Sequence, residues 1–171
     1  MSDGDAVDLA LLGLRVVVGA VMLAHGINHV FGGGRIAGTA RWFESLGMRP
    51  GPLHAWLASV TEIVAGGLLV LGLLTPLAAA GVVGVMAVAW ITNHRGNGFF
   101  IFRPGEGWEY VMTLTVAGLA IGALGPGSWS LDDAFALEDL AGTGGLALTA
   151  GLGLGGAAGL LLGFWRPPAA S

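Results

Sequence analysis

The sequence predicts an all-α membrane protein: a four-helix transmembrane bundle, a fifth C-terminal transmembrane helix, and a short amphipathic helix at the membrane interface. Three observations predict it. Of 171 residues, 54% are hydrophobic and only 11% charged, against about 25% charged in a soluble domain; the mean hydropathy is +0.78. Five apolar runs each approach the roughly 20 residues that cross a bilayer as a helix. The basic residues are all arginine, and six of the seven fall on alternate connections or after the last run. So little charge excludes a soluble enzyme and a disordered tail. A net charge of -4 with no lysine leaves no basic patch for a nucleic acid. The chain has no cysteine, which excludes disulfides, thiolate metal ligands and cysteine nucleophiles.

The first span is expected over about 7–31. It carries Arg15, His25, Asn28 and His29, which is polar for a span. Residues 1–8 carry three aspartates and no arginine, so it reads as an uncleaved helix rather than a signal peptide. After Gly32-Gly33-Gly34, residues 35–48 place Ile36, Trp42, Phe43 and Leu46 on one side and Arg35, Arg41 and Glu44 elsewhere, the pattern of a helix lying on the membrane surface. Pro50-Gly51-Pro52 ends it. The second span is expected over 53–74. Thr75-Pro76 turns the chain, because proline presets its own backbone angle. The third span covers 77–93, a Gly-rich loop covers 94–107, and the fourth span covers 108–124. Residues 1–135 form the four-helix core. Residues 136–171 add the rest of an acidic loop and the fifth span, 144–165, closed by Arg166-Pro167-Pro168. Helices satisfy their backbone groups in lipid, and these lengths are helical rather than those of barrel strands.

With five spans, Arg35, Arg41, Arg49, Arg95, Arg103 and Arg166 share one side. Arginine marks the cytoplasmic side, so the N-terminus is expected outside and the C-terminus in the cytoplasm. The six tryptophans fall mostly near span ends, as an aromatic belt does, and His54 reads as interfacial.

Ionisable residues inside a span are costly and are usually paired or functional. Counting at about 1.5 Å per residue puts His25, Glu62 and His94 at similar depth in the cytoplasmic half, with His29 and Glu109 slightly nearer the cytoplasm. The expected polar site is His25, Asn28, His29, Glu62, Asn93, His94 and Glu109. Arg15 lies toward the outside and is expected to form a structural ion pair with Glu62. Three chemical uses fit the site. Metal binding would use His25, His29, Glu62 and His94, since imidazole and carboxylate suit several transition metals. A quinone or quinol headgroup would exchange protons with His or Glu. The third use is a small-molecule or ion passage. The plain alternative is that these groups only hold helices together. In the fifth span Gly151, Gly155, Gly159 and Gly163 repeat every four residues, a stripe that admits a second helix, either a partner subunit or a second copy.

Several of these segments together resemble the DoxX family of small bacterial membrane proteins, over about residues 8–135. The resemblance rests on Arg15 and His25-Gly26-Ile27-Asn28-His29, then on the run from Glu62 through Gly66-Gly67 to Thr75-Pro76. It continues through His94, Gly98-Phe99 and Glu109-Tyr110 to Gly125-Pro126-Gly127-Ser128-Trp129-Ser130-Leu131-Asp132. The family usually has lysine where this chain has His29, and the fifth span lies outside the family core. The resemblance implies a four-helix core in a bacterial plasma membrane. Some relatives look like the membrane subunit of thiosulfate:quinone oxidoreductase, and others are linked with redox complexes that handle thiol or oxidative stress. The expected function is an auxiliary subunit of a membrane redox assembly, in contact with quinone. The sequence shows no flavin, haem or nicotinamide motif, so a non-catalytic subunit is favoured over a self-contained oxidoreductase. The rivals are a small-molecule or lipid-handling membrane protein and a purely structural one.

Overall fold

A computed structural model describes residues 2–137 and 141–167. The described residues are helices and connections. α1 (Asp3–Phe31) begins before the expected boundary because Ser2 and Asp5 cap each other. Ser2 Oγ accepts from the Asp5 amide at 3.2 Å, and Asp5 Oδ2 accepts from the Ser2 amide at 2.8 Å. α2 (Arg35–Ser45) is the amphipathic helix. α3 (Gly51–Leu71) starts with Pro52 in its first turn and stops at Gly72, whose φ of 63° is left-handed. α4 (Thr75–Ala89) follows after three residues and runs into a wider π-helical turn, Trp90–His94. α5 spans Glu109–Leu124, α6 is a single turn over Leu131–Ala134, and α7 spans Gly142–Phe164.

Among the described residues, four helices are long and apolar enough to cross a membrane: α1, α3, α4 with its π-helical turn, and α7. α5 is apolar but has only 16 residues, about 24 Å at 1.5 Å per residue against a hydrocarbon core of roughly 30 Å. The expected fourth span is thus the short member of the bundle. Part of the acidic segment is helical: Ser130 caps α6, accepting from the Asp133 amide at 3.1 Å. Glu138 and Asp139 lie outside the described residues.

α1 packs on α3, and α4 packs on α3, α5 and α7. The α1–α3 contact is backbone to backbone: a Cβ on Gly19 would sit 2.6 Å from the Gly66 carbonyl, and one on Gly66 the same distance from the Gly19 carbonyl. Val18 and Met22 of α1, Leu69 of α3, Val82 of α4 and Ile121 of α5 form the main core. A second apolar cluster, with Phe43, Met48 and Ala55 against Trp165, closes the arginine-bearing end. There Met48 bridges Trp165, and the Arg166 amide donates to the Gly47 carbonyl at 2.8 Å.

The fifth helix packs closely on the bundle, against α4 and α5. α7 buries Gly145, Thr149, Gly153 and Ala157, and Thr149 Oγ1 donates to the Pro76 carbonyl at 3.0 Å. The stripe Gly151, Gly155, Gly159 and Gly163 is exposed, and a Cβ on any of them would meet nothing within 4 Å. It therefore faces away from the chain's own bundle.

Candidate functional site

One cavity of about 560 Å³ lies inside the bundle, and all four histidines of the chain line it: His25, His29, His54 and His94. Its walls are mostly apolar, the character of small-molecule sites. α1 contributes His25 and His29, which are four residues apart and so share a face. α3 contributes His54 and Glu62, eight apart and on one face. The turn after α4 contributes Thr92, Asn93 and His94. That turn is wider than an α-helix, with the Arg95 amide donating to the Trp90 carbonyl at 2.9 Å, five residues back. The added residue per turn lets three consecutive side chains border the cavity.

Glu62 is the most constrained group. It is 3% exposed, and its Oε2 lies 3.1 Å from Nδ1 of His29. His25 Nε2 lies 3.1 Å from the hydroxyl of Tyr110, the chain's single tyrosine, with the two rings stacked at 5.8 Å. His94 has both ring nitrogens committed. Nδ1 lies 2.8 Å from the Glu106 carbonyl, which can only accept, so Nδ1 carries the proton. Nε2 then accepts from Asn93 Nδ2 at 3.3 Å. His54 is 2% exposed and packed between Phe43 and Phe164, with ring centroids 6.2 and 5.2 Å away.

Buried polar atoms are nearly always hydrogen-bonded, and exceptions call for an explanation. Five buried side-chain atoms of the described residues have no hydrogen-bond partner. Three of them belong to residues lining this cavity: His29 Nδ1, His54 Nε2 and Glu62 Oε2. The His29–Glu62 approach is close, but its geometry is not that of a hydrogen bond, so both atoms retain capacity for a third group.

Of the expected site, His25, His29, Glu62, Asn93 and His94 line the cavity. Asn28 and Glu109 do not. Asn28 is exposed on another face of α1. Glu109 holds the loop before α5, its Oε1 accepting from the Ile101 amide at 2.8 Å. That loop is knitted to itself: the Gly107 and Trp108 amides donate to the Phe100 and Gly98 carbonyls, each at 3.0 Å. Only Glu106 of it borders the cavity.

Among the described residues no three His, Asp or Glu side chains converge on one point, and His94 has no free lone pair on its ring. Among the lining residues that the sequence reading did not assign to the site are His54 and Tyr110. A signal existed for each. His54, Ala58 and Glu62 recur every four residues on α3, and Tyr110 sits one residue, or about 100° of helix rotation, beyond Glu109.

Arg15 is not paired with Glu62. It is 1% exposed and lies toward the other end of the bundle. Its Nη1 donates to the Leu69 carbonyl at 3.2 Å and its Nη2 to the Trp129 carbonyl at 2.7 Å. Beside it, Asp132 accepts from the Leu74 and Thr75 amides at 2.7 and 2.9 Å, capping α4. The Asp132 amide in turn donates to the Gly72 carbonyl at 2.8 Å. Arg15, Leu73-Leu74-Thr75-Pro76 and Ser128-Trp129-Ser130-Leu131-Asp132 thus form one structural knot, none of whose residues lines the cavity.

A model of the DoxX family matches residues 10–95, from α1 through the π-helical turn. A protein of Mycobacterium tuberculosis named as an uncharacterized membrane protein is 31% identical over 128 residues, covering 70% of this chain and 77% of its own length. No solved structure matches the chain significantly.

Proposed function

Since this chain belongs to the DoxX family of multi-pass membrane proteins, we propose that its cavity holds a quinone or quinol by the ring, and that the protein is the ligand-holding, auxiliary subunit of a membrane redox assembly. One observation carries this reading: three unpartnered buried polar atoms, on His29, His54 and Glu62, border a single apolar-walled cavity. A quinone carbonyl accepts hydrogen bonds and a quinol hydroxyl donates one. His29 and Glu62 between them offer both functions. Reduction of a quinone takes up two electrons and two protons. In this reading the His29–Glu62 pair exchanges protons with the ring oxygens, and a partner subunit supplies the electrons.

The partner is assigned to the outward face of α7, where Gly151, Gly155, Gly159 and Gly163 leave room for close helix approach. The membrane is the bacterial plasma membrane, with the arginine-bearing end in the cytoplasm.

The test is binding of a short-chain benzoquinone to the purified protein in lipid nanodiscs. Quenching of tryptophan fluorescence reports it, since Trp42 lines the cavity. Saturable quenching is expected, weakened about tenfold or more in Glu62→Gln with His29→Ala, in line with loss of a hydrogen bond to a charged group. A folded wild-type protein that shows no saturable quenching overturns the reading. Saturable binding of a phospholipid analogue in its place would support a lipid-handling protein.

A further inference from the structure

The cavity is more than a headgroup pocket. Away from His25 and His29 it continues as a cleft over α4, between α3 and α7. Both of these helices pack on α4, and neither packs broadly on the other. They meet at the arginine-bearing end, where the rings of His54 and Phe164 lie 5.2 Å apart. That contact makes the end blind. Beyond that contact the cleft opens sideways: its rim residues Leu57, Leu77 and Leu152 are 44%, 40% and 53% exposed. On its floor, Gly81 and Gly84 of α4 let the neighbouring helices come close: a Cβ on Gly81 would sit 2.9 Å from Ala65 of α3, and one on Gly84 3.3 Å from the Gly153 carbonyl of α7. On the α7 wall a Cβ at Gly156 would meet nothing within 4 Å. From Leu77 to Ala89 the lined length of α4 is about 18 Å at 1.5 Å per residue.

We propose that this cleft holds the hydrocarbon chain of the ligand whose ring sits at His29 and Glu62, and that the ligand enters it sideways from the bilayer. The inference rests on the quinone reading of the polar end. Three features argue for a tail rather than a loosely associated lipid. The cleft is continuous with the polar groups in one cavity. It is blind beyond them, so a tethered chain has one direction in which to leave. It is also lined by small residues over a length that suits a chain of ten or more carbons. Hydrocarbon gains nothing by moving from lipid to an equally apolar wall, so the chain's placement must come from its attachment to a bound ring and from packing.

The experiment uses two probes on the full chain in nanodiscs: a benzoquinone with a ten-carbon chain ending in a diazirine, and the same ring without a chain. Photolysis should label the α4 and α7 peptides that border the cleft, and an excess of the chainless ring should reduce that labelling at least tenfold. Gly156→Leu should also reduce it at least tenfold and leave binding of the chainless ring unchanged. Leu152→Trp, which narrows the rim, serves as the second variant and should act alike. Cleft labelling that the chainless ring does not displace would mean that bulk acyl chains fill the cleft, and would overturn the inference. So would labelling confined to the outward face of α7. If the chainless ring fails to bind the wild type at all, the quinone reading itself has failed, and that outcome is read separately from the labelling pattern.

Discussion

Glu62 Oε2 and His29 Nδ1 stand 3.1 Å apart across the α1–α3 contact, where Gly26 brings α1 against α3: a Cβ there would sit 2.9 Å from the Ser59 carbonyl and 3.0 Å from Cβ of Glu62. The carboxyl group is almost fully enclosed, and the imidazole is partly open to the cavity. A buried acidic group depends on its neighbour, because an uncompensated charge or polar atom in a low-dielectric site is costly. The pair therefore links the stability of the α1–α3 contact to the chemistry of the cavity.

Separating these two roles needs two substitutions at one position. Glu62→Gln retains shape and hydrogen bonding, and is expected to leave the melting temperature in detergent within a few degrees while weakening quinone binding about tenfold or more. Glu62→Ala leaves a void and removes the carboxyl group that faces His29 Nδ1, and is expected to cost about 0.5–3 kcal/mol of stability. Thermal unfolding and quinone titration of both variants check this. Equal loss of binding and stability in Glu62→Gln would make the pair a packing device only.

The knot at the opposite end is expected to behave independently. Asp132→Ala removes two bonds from a carboxylate to the Leu74 and Thr75 amides, and charge-assisted bonds contribute about 1.5–3 kcal/mol each. The variant should unfold at lower temperature. Arg15→Lys should not restore what Arg15→Met loses, since two carbonyls on separate elements require the forked guanidinium. Limited proteolysis near Ser128–Phe135 should report release of that segment, with quinone binding in the surviving folded fraction unchanged.

Gly155→Leu puts a large side chain on the outward face of α7, where a Cβ meets no atom of this chain. The monomer should fold normally. If that face seats a partner subunit or a second copy, the native complex should shrink on a gel that preserves assemblies. An unchanged particle size would remove the face from the list of contacts.

The absence of cysteine makes the orientation directly measurable. Gly96→Cys sits in the loop before α5, at the arginine-bearing end, in open space. Gly4→Cys sits at the start of α1, at the opposite end. In intact spheroplasts a membrane-impermeant maleimide should label Gly4→Cys and spare Gly96→Cys. The reverse pattern would invert the proposed topology.

The membrane character, the helices and most of their ends were legible in the sequence because each depends on local sums. Hydropathy over about 20 residues, a proline in the first turn of α3 or α4, and a left-handed Gly72 act within a few residues of themselves. His25, His29, Glu62 and His94, counted to neighbouring depths in the sequence, border one cavity. What the sequence could not decide was which groups face one another. One residue along a helix turns a side chain by about 100° and raises it by only about 1.5 Å. Depth counting therefore cannot tell Glu109 from Tyr110 as the residue beside the cavity, and Arg15, about 21 Å from His29 along α1 at that rise, was matched to Glu62 by opposite charge rather than by depth. Those choices depend on helix rotation and on contacts between distant positions. Arg15 finds the Trp129 carbonyl 114 residues away, and His54 becomes buried only because Phe43 of α2 and Phe164 of α7 close over it. The sequence by itself determined a bundle of apolar helices with polar groups at one depth. The tertiary structure decided that those groups border a cavity, because only packing sets the rotation of each helix and the partner of each buried polar atom.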